Sequence, residues 1–300
     1  MKRILIASTL MILIPFFITQ NFKKVQQINY TYVSNQKIKV KTEENGQINE
    51  IPFEKYIKGV VAGEMPCSFE KEALKAQAVA SRSYALYHMN GNEYDVTNTT
   101  SNQVYLTDGE LKEKWQDKYE ENSKIIEKAI SETRGEYLSY NGEIVNAMFF
   151  STSVGKTENS EEVFVSEVPY LRSVESKWDE KSPAYTDIVK IDISEFYKKL
   201  GLPYDDNLKI EILKKTSTGR IRSLKINNQE MKGRDVATKL NLRSNYFEIL
   251  KKENTITIST KGYGHGVGMS QYGANGMAKE GYTYKEILKH YYLNTEIKKI

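Results

Sequence analysis

The stretch Ile51-Pro52-Phe53-Glu54-Lys55-Tyr56-Ile57-Lys58-Gly59-Val60-Val61-Ala62-Gly63-Glu64-Met65-Pro66 has the spacing of an amphipathic helix. Its apolar residues recur three or four positions apart and share one face, and Glu64 continues that face in the last turn. Pro66 ends the helix, because the residue before a proline avoids the helical backbone region. The sequence therefore predicts a carboxyl group at the end of a buried helix face.

Two effects raise the pKa of a carboxyl group at this position. Burial disfavours the charged form, and so does the negative end of the helix dipole. A carboxylic acid that keeps its proton near neutral pH suits general-acid cleavage of a glycosidic bond. The alternative is a structural glutamate that caps neighbouring backbone amides after the turn, since perturbed carboxyl groups do not always mark functional sites.

The composition argues against several classes of protein. Among 300 residues, 43 basic and 39 acidic side chains leave a net charge of +4, which is not typical of a nucleic-acid-binding protein but suits an anionic surface such as a cell wall. The single cysteine, Cys67, excludes an intramolecular disulfide. Three scattered histidines and one cysteine also argue against a structural zinc site.

Residues 1–26 are predicted to form a membrane anchor and a stalk. Lys2-Arg3 precede a short apolar run that ends near Ile18, which is the layout of a secretion signal. No small-x-small cleavage site follows, so we favour an uncleaved signal-anchor with the N-terminus in the cytoplasm. The alternative is a signal peptide that is cleaved at an unusual site. In both cases the rest of the chain lies beyond the membrane.

Behind the anchor, helix and strand patterns predict an α+β fold with a mixed helical and β core domain and an inserted small α+β lobe. The first part of the core domain is expected at residues 27–172, the lobe at 173–254 and the second part of the core domain at 255–300.

Three local patterns refine this fold. The alanine-rich stretch 68–87 predicts a central helix, because small side chains allow a close approach to neighbouring elements. The highly charged stretch 110–133 predicts one solvated helix. Residues 136–150 predict a hairpin around the turn dipeptide Asn141-Gly142.

Six glycines crowd the loop from Gly262 to Gly276. The loop lacks the Gly-Lys-Ser/Thr ending of a phosphate-binding loop. Its polar members His265 and Gln271 are candidate site residues. His265 is expected to donate to a sugar hydroxyl or to orient Glu64, and the alternative is a hydrogen bond to a backbone carbonyl in a tight loop.

A hydroxyl-rich loop at residues 151–160 follows an apolar strand. Its Ser151, Ser153, Lys156 and Glu158 suit hydrogen bonding to sugar hydroxyl and acetamido groups. A serine nucleophile would need a base within reach, and the Gly-x-Ser-x-Gly motif is absent, which disfavours a serine hydrolase.

Two further polar positions lie on the alanine-rich helix. Arg82 is expected to be buried and to pair with Glu64, or else to be an ordinary surface arginine. Tyr84, like Tyr105, either offers a stacking surface to a sugar or packs in the core.

Several stretches of the chain resemble the stage II sporulation protein D (SpoIID) family, which is related to the LytB amidase enhancers. They follow the family's order, and the resemblance spans residues 28–300. The stretches are Glu64-Met65-Pro66, Glu72 to Tyr84, Gln103-Val104-Tyr105, Ser151 to Glu158 and Gly262 to Gly276.

The resemblance implies a lytic transglycosylase of sporulation engulfment. Such an enzyme cuts the N-acetylmuramic acid–N-acetylglucosamine linkage of peptide-stripped glycan strands and leaves anhydromuramyl ends. Glu64 matches the family's catalytic glutamate, and this mechanism needs only one carboxyl group, since a hydroxyl of the substrate itself attacks. The expected substrate contacts are Arg82, Tyr84, Gln103, Ser151, Ser153, Lys156, Glu158, His265 and Gln271.

The resemblance also implies partners and a location. The expected partners are glycan strands of peptidoglycan, the amidase SpoIIP and the membrane protein SpoIIM, with no nucleic acid and no cofactor. The protein is expected in the septal or engulfing membrane as a single-pass protein, with its catalytic domain outside the cytoplasm.

The sequence differs from some relatives that bind zinc through His and Cys. The matching stretches here, Thr97 to Asn102 and Phe150 to Ser153, lack those ligand types, so no metal is predicted. Two rival functions remain open: a non-catalytic glycan-binding enhancer of a cell-wall amidase, and an amidase. The second is disfavoured because the zinc ligands are absent.

Overall fold

The computed structural model describes residues 36–89 and 91–300. Its helices are α1 (Phe53–Glu64), α2 (Lys71–His88), α3 (Asp108–Trp115), α4 (Tyr119–Glu132), α5 (Ser160–Val163), α6 (Ile193–Leu200), α7 (Gly233–Lys239), α8 (Gln271–Lys279) and α9 (Tyr284–Tyr291). Its strands are β1 (Lys37–Lys41), β2 (Ile48–Pro52), β3 (Val96–Thr97), β4 (Glu136–Tyr140), β5 (Glu143–Ile144), β6 (Phe149–Phe150), β7 (Thr186–Asp192), β8 (Ile210–Lys215), β9 (Ile221–Ile226), β10 (Gln229–Lys232), β11 (Phe247–Lys252), β12 (Thr255–Lys261), β13 (Met269–Ser270) and β14 (Glu296–Lys299).

The strands form small sheets with the orders β2-β1-β3, β10-β9-β8, β11-β12-β7, β13-β6 and β14-β4-β5. Helices and these sheets are mixed along the chain, so the predicted α+β class is confirmed. The predicted anchor lies outside the described residues. Within residues 36–89 and 91–300, no helix is both long and apolar enough to span a bilayer.

The main core forms around α2. This helix packs against α1, α4, α8 and α9. Ala73, Ala76 and Ala80 are fully buried at these contacts, which confirms the prediction of a central helix with a close-packing face. On α1 the apolar stripe is buried as its spacing predicts, and each large side chain in it contributes about 1.5–3 kcal/mol of burial.

The charged stretch after residue 107 is not one helix, contrary to the prediction. Thr107 and Glu110 form a capping box that begins α3, and α3 ends at Trp115. Gln116 then adopts a φ of +48°, and a short 3₁₀ turn leads into α4. The break allows α4 to pack Ile126 and Ala129 into the main core, so tertiary packing overrides the local helical preference.

The predicted hairpin is shorter than expected. Strands β4 and β5 pair across Asn141-Gly142, but β6 leaves the hairpin and pairs in parallel with β13. This pairing ties the hydroxyl-rich loop to the end of the glycine loop.

A second hydrophobic cluster draws its buried residues from between Ile193 and Ile258. This cluster lies between α6, α7 and the two sheets formed by β7 to β12. It contains residues of the predicted lobe and also residues of β12, which lies beyond the predicted end of the lobe. The limits proposed for the lobe and for the two parts of the core domain stay predictions.

The glycine loop is shorter than predicted, because residues 271–276 form the start of α8 and only residues 262–270 join β12 to that helix, beside the hydroxyl-rich loop. Gly262, Gly264, Gly266 and Gly268 all have positive φ, which favours glycine. At Gly268 a Cβ atom would lie 2.0 Å from the carbonyl oxygen of Met148, so a side chain has no room there. The loop is therefore shaped by close backbone packing.

Candidate active site

Glu64 is the last residue of α1, and the backbone of Met65 after it is extended. Its Oε1 accepts a 2.7 Å hydrogen bond from the backbone N–H of Val104. Its Oε2 accepts a 3.1 Å hydrogen bond from Nε2 of Gln271. The amide that Glu64 binds is 40 positions away, so the alternative of a cap on neighbouring amides is wrong.

Burial raises the pKa of Glu64 above its ordinary value, as the sequence predicts. The hydrogen bonds from Val104 and Gln271 stabilise the carboxylate and oppose this rise, and so does the positive charge of Lys114. Since burial is the largest effect, the acid form of Glu64 persists to higher pH than that of an exposed glutamate.

A cleft of about 620 Å³ opens beside Glu64. Helix α1 and the turn after it form one wall, α3 and α4 contribute another, and the start of α8 closes the site. The lining residues are Gly63, Glu64, Met65, Pro66, Cys67, Ser68, Phe69, Lys114, Trp115, Lys118, Asn122, Ser151, Gln271 and Tyr272. Of the predicted substrate contacts, Ser151 and Gln271 therefore share this cleft with the acid.

Lys114 contributes a cation to the cleft. Its Nζ donates a 2.9 Å hydrogen bond to the carbonyl oxygen of Ala62 near the C-terminus of α1. An ammonium group at this end of a helix interacts favourably with the helix dipole.

Arg82 is fully buried but does not pair with Glu64, so that expectation was wrong. Its guanidinium donates two 2.9 Å hydrogen bonds to the carboxylate of Glu54, at the other end of α1. Further hydrogen bonds go to Thr133 Oγ1 and to the carbonyl oxygen of Ile130. Because no part of Arg82 is exposed, it stabilises the packing of α1, α2 and α4 and offers nothing to a ligand.

Tyr84 and Gln103 are buried near the acid but do not line its cleft. The hydroxyl of Tyr84 accepts a hydrogen bond from Asn102. Nε2 of Gln103 donates to the hydroxyl of Tyr56 at 3.1 Å. Both residues therefore support the segment that carries the Val104 amide.

Ser153 is buried and binds a carboxylate that sequence reasoning missed. Asp179 accepts hydrogen bonds from the backbone and hydroxyl of Ser153, and also from the hydroxyls of Ser176 and Ser270. Ser270 is the N-cap of α8 and directly precedes Gln271. Asp179 thus fixes the start of the helix from which Gln271 reaches Glu64.

Lys156 and Glu158 differ in their exposure to solvent. Lys156 is exposed and pairs with Glu175 at 2.8 Å. Glu158 is fully buried, and its Oε1 lies 3.2 Å from Nε of Arg220. Burial raises the pKa of Glu158, and Arg220 opposes that rise. Arg220 directly precedes Ile221 of the second hydrophobic cluster, so this pair joins the hydroxyl-rich loop to that part of the fold.

His265 does not orient Glu64. Its Nδ1 accepts a 3.0 Å hydrogen bond from the backbone N–H of Val267, and its ring packs against Phe150 and Phe164. Burial and the nearby Arg220 lower the pKa of His265 to about 4. The ring is therefore neutral near pH 7 and hydrogen-bonds within the tight loop. The partner of Nδ1 is a backbone N–H, however, and not the backbone carbonyl that the alternative named.

Known proteins resemble this chain closely. A family model described as SpoIID, stage II sporulation protein, matches residues 41–140. Stage II sporulation protein D of Bacillus subtilis (strain 168) is 44% identical over 261 residues, which cover 84% of this chain and 76% of that protein. The chain belongs to the stage II sporulation protein D family.

A second member of the stage II sporulation protein D family, from Bacillus amyloliquefaciens, is 43% identical over 261 residues, or 84% of this chain and 76% of that protein. A relative named amidase enhancer, from Bacillus subtilis (strain 168), is 31% identical over 296 residues, which cover 80% of this chain but 40% of that protein. Family membership links the chain to sporulation.

Metal ligands are not grouped in the described part of this family member. No three side chains of His, Cys, Asp or Glu come together there in a way that suits a metal ion. The expectation that the chain binds no metal stays a prediction.

In this member of the stage II sporulation protein D family, sequence reasoning missed two residues near Glu64. Val104 acts through its backbone N–H, and Lys114 is far from Glu64 in the sequence. The N–H of Val104 leaves no side-chain signal. Lys114 looked like one of many solvated lysines on a charged helix. Only the fold brings them to Glu64.

Gly63→Ala is expected to change the hydrogen bonding and the pKa of Glu64 through Val104. A Cβ at Gly63 would lie 2.5 Å from the carbonyl oxygen of Val104, so the segment that donates to Glu64 must shift. Overpacking of this kind costs about 1–3 kcal/mol. Loss of the Val104 hydrogen bond removes support for the carboxylate, so the pKa of Glu64 rises further. A carbon-13 NMR titration of Glu64 and a urea unfolding curve measure the two effects.

Gly109→Ala is the matched control, because it also changes a helical glycine. Near Gly109 the Cβ would meet only Thr107 Oγ1, at 3.8 Å. This variant should keep the Glu64 titration and gain up to about 1 kcal/mol of stability. An unchanged Glu64 titration in Gly63→Ala would contradict the role given to Val104.

Proposed function

We propose that the protein is a peptidoglycan lytic transglycosylase that acts in sporulation engulfment. It cleaves the N-acetylmuramic acid–N-acetylglucosamine linkage of peptide-stripped strands. The observation that carries this proposal is Glu64, a sheltered carboxyl group of raised pKa that lines an open cleft. The membership in a sporulation family supports it.

The cleft favours a transglycosylase over an ordinary glycosidase. Glycosidases use two carboxyl groups about 5–9.5 Å apart, one of them to activate water or to attack the sugar. Of the described residues that line this cleft, Glu64 alone carries a carboxyl group. A single carboxyl group suffices when the nucleophile is a hydroxyl of the substrate itself.

In the proposed reaction Glu64 acts first as an acid and then as a base. Its proton passes to the glycosidic oxygen as the bond from that oxygen to C1 of the muramic sugar breaks. The resulting carboxylate takes the proton of the C6 hydroxyl of the same sugar, and that oxygen bonds to C1. One bond breaks, another forms, no water is consumed, and Glu64 ends the cycle protonated.

Val104 and Gln271 serve both states of the acid in this scheme. Their N–H groups stabilise the carboxylate after the proton has left. They also fix the carboxyl group in one orientation. Correct orientation increases the rate when the proton must reach one particular oxygen of the substrate.

The proposal extends to location and partners. We place the catalytic domain outside the cytoplasm behind the predicted anchor, with the amidase SpoIIP and the membrane protein SpoIIM as partners. An amidase must act first, since peptide-free strands arise only when the stem peptides have been removed. A relative named amidase enhancer supports a connection with amidase chemistry.

The test is the structure of the product formed in water labelled with oxygen-18. The purified protein is incubated with peptide-free glycan strands, and the new ends are analysed by mass spectrometry. A transglycosylase gives anhydromuramyl ends that are lighter by one water and carry no label. Labelled reducing ends would show hydrolysis and would overturn the proposal.

The second candidate is a glycan-binding enhancer of a cell-wall amidase. The similarity to a protein named amidase enhancer favours it. It predicts no new glycan ends with the protein alone, and faster release of stem peptides when the protein is added to an amidase.

A further inference from the structure

Lys114 lines the cleft that holds Glu64. Its ammonium group donates to the carbonyl oxygen of Ala62, two residues before the acid on α1. That partner is neutral, whereas Lys58, on the same helix as Ala62, pairs with the carboxylate of Glu127 at 2.9 Å. The charge of Lys114 is therefore available to an anionic group that enters the cleft.

The cleft as a whole is positively charged when the acid holds its proton. Among the described lining residues, Lys114 and Lys118 carry ammonium groups, and Glu64 is the sole carboxyl group. A cleft lined in this way attracts an anion electrostatically, and it does not attract a neutral group in this way.

The muramic sugar carries such an anion only after its peptide has gone. Its lactyl group on O3 is amide-linked to the stem peptide in intact peptidoglycan, and the amide is neutral. An amidase converts that amide to a free carboxylate. Under the proposed function, C1 of the same ring lies at Glu64 during cleavage, so the lactyl group enters the same cleft.

We propose that the ammonium group of Lys114 binds the lactyl carboxylate of the muramic sugar and thereby selects strands from which the peptides have been removed. This inference rests on the proposed function and names the group that sets its specificity. Lys114 is a charged donor, and hydrogen bonds between charged partners are shorter and stronger than neutral ones.

The same contact couples recognition to the acid. The charge of Lys114 opposes protonation of Glu64 while the cleft is empty. A bound lactyl carboxylate offsets that charge, so Glu64 holds its proton more firmly when the cleavable substrate is in place. A neutral amide has no such effect.

The test compares two substrates made from one glycan preparation. One keeps the free lactyl carboxylate, and in the other that group is converted to its methylamide. The wild-type protein should cleave the carboxylate form with a kcat/KM roughly 10- to 100-fold higher, from the usual contribution of a hydrogen bond to a charged group. Lys114→Met should lose this preference, and Lys114→Arg should keep most of it.

Lys112→Met is the matched control, because Lys112 lies on the same helix, is exposed and does not line the cleft. It should behave as wild type on both substrates. If Lys114→Met lowers cleavage of both substrates by the same factor, Lys114 is merely structural and the inference is overturned. A preference that survives in Lys114→Met overturns it as well.

Binding measurements separate this inference from the proposed function. If the wild-type protein forms no anhydromuramyl ends from either substrate, the proposed function fails. Calorimetry then shows whether the protein still binds the carboxylate form more tightly and whether Lys114→Met removes that difference. Equal binding of both forms by the wild-type protein would overturn the role of Lys114 independently.

Discussion

Glu64→Gln is expected to lower the rate of anhydromuramyl end formation by about 10²–10⁴-fold, the range that a positioned general acid contributes. Glutamine has the shape of glutamic acid but cannot release a proton to the glycosidic oxygen. Its amide can still accept from Val104, and a rotated Gln271 can hydrogen-bond its other end. The cleft should therefore keep its shape and its affinity for glycan, measured by calorimetry.

The pH profile of the wild-type protein tests the same assignment. The proposed reaction needs Glu64 protonated, so cleavage should fall as the pH rises through the raised pKa of this group. Glu113→Gln is the matched control, because Glu113 is exposed on α3 and does not line the cleft. Full product formation by Glu64→Gln would remove the basis of the proposed mechanism and favour the enhancer.

Fold stability distinguishes lost chemistry from lost structure in this variant. The pKa of Glu64 is raised in the folded protein from an ordinary value of 4.5. Its contribution to stability is therefore fully present below that value and is lost as the pH rises through the folded pKa. Glutamine does not titrate, so Glu64→Gln should unfold at an equal or higher temperature than the wild type at neutral pH.

Arg82→Met should destabilise the fold by about 3 kcal/mol, the lower end of the cost of removing one partner from a buried ion pair, since the side chain of Glu54 is 18% exposed. The substitution leaves Glu54 without its two hydrogen bonds and also removes donors to Thr133 and Ile130. Urea unfolding monitored by circular dichroism measures the loss. The Glu54→Leu/Arg82→Met double variant should recover part of it, because no unpaired charge then remains buried.

An exposed ion pair provides the comparison for this prediction. Lys37 and Glu50 lie 3.3 Å apart on β1 and β2, and both side chains are more than half exposed. Lys37→Met should change the free energy of unfolding by less than about 1 kcal/mol. A loss of this small size in Arg82→Met would show that the Glu54–Arg82 pair is not a principal contact of the core.

The helix of Glu64 could be predicted because its signal is local. Spacing along α1 reports which side chains share a face, and Pro66 marks where the helix ends. The partner of Arg82 could not be predicted in this way, since Glu54 and Glu64 both lie on α1. Which of them meets Arg82 depends on how α1 crosses α2, and helix periodicity does not encode that crossing.

The environments of the loop side chains were also hard to predict from the sequence. In a loop, adjacent polar side chains need not share an environment. Ser153 is turned inward to Asp179, and Glu158 is buried against Arg220, while Lys156 lies in solvent. Composition alone indicated that these residues suit sugar binding, but burial assigns Ser153 and Glu158 to the fold. The helix break at Gln116 was also missed, because no Pro or Gly marks it in the sequence. It arises from the packing of α4 into the main core.

The two hydrogen bonds to Glu64 come from distant parts of the chain, and this separation has a consequence for synthesis. A nascent polypeptide can fold α1 and present Val104 long before the ribosome has made Gln271. Until then the acid lacks one of its two partners, and the start of α8 does not yet close the cleft. Under the proposed function, a chain that stops before Gln271 should therefore form no anhydromuramyl ends.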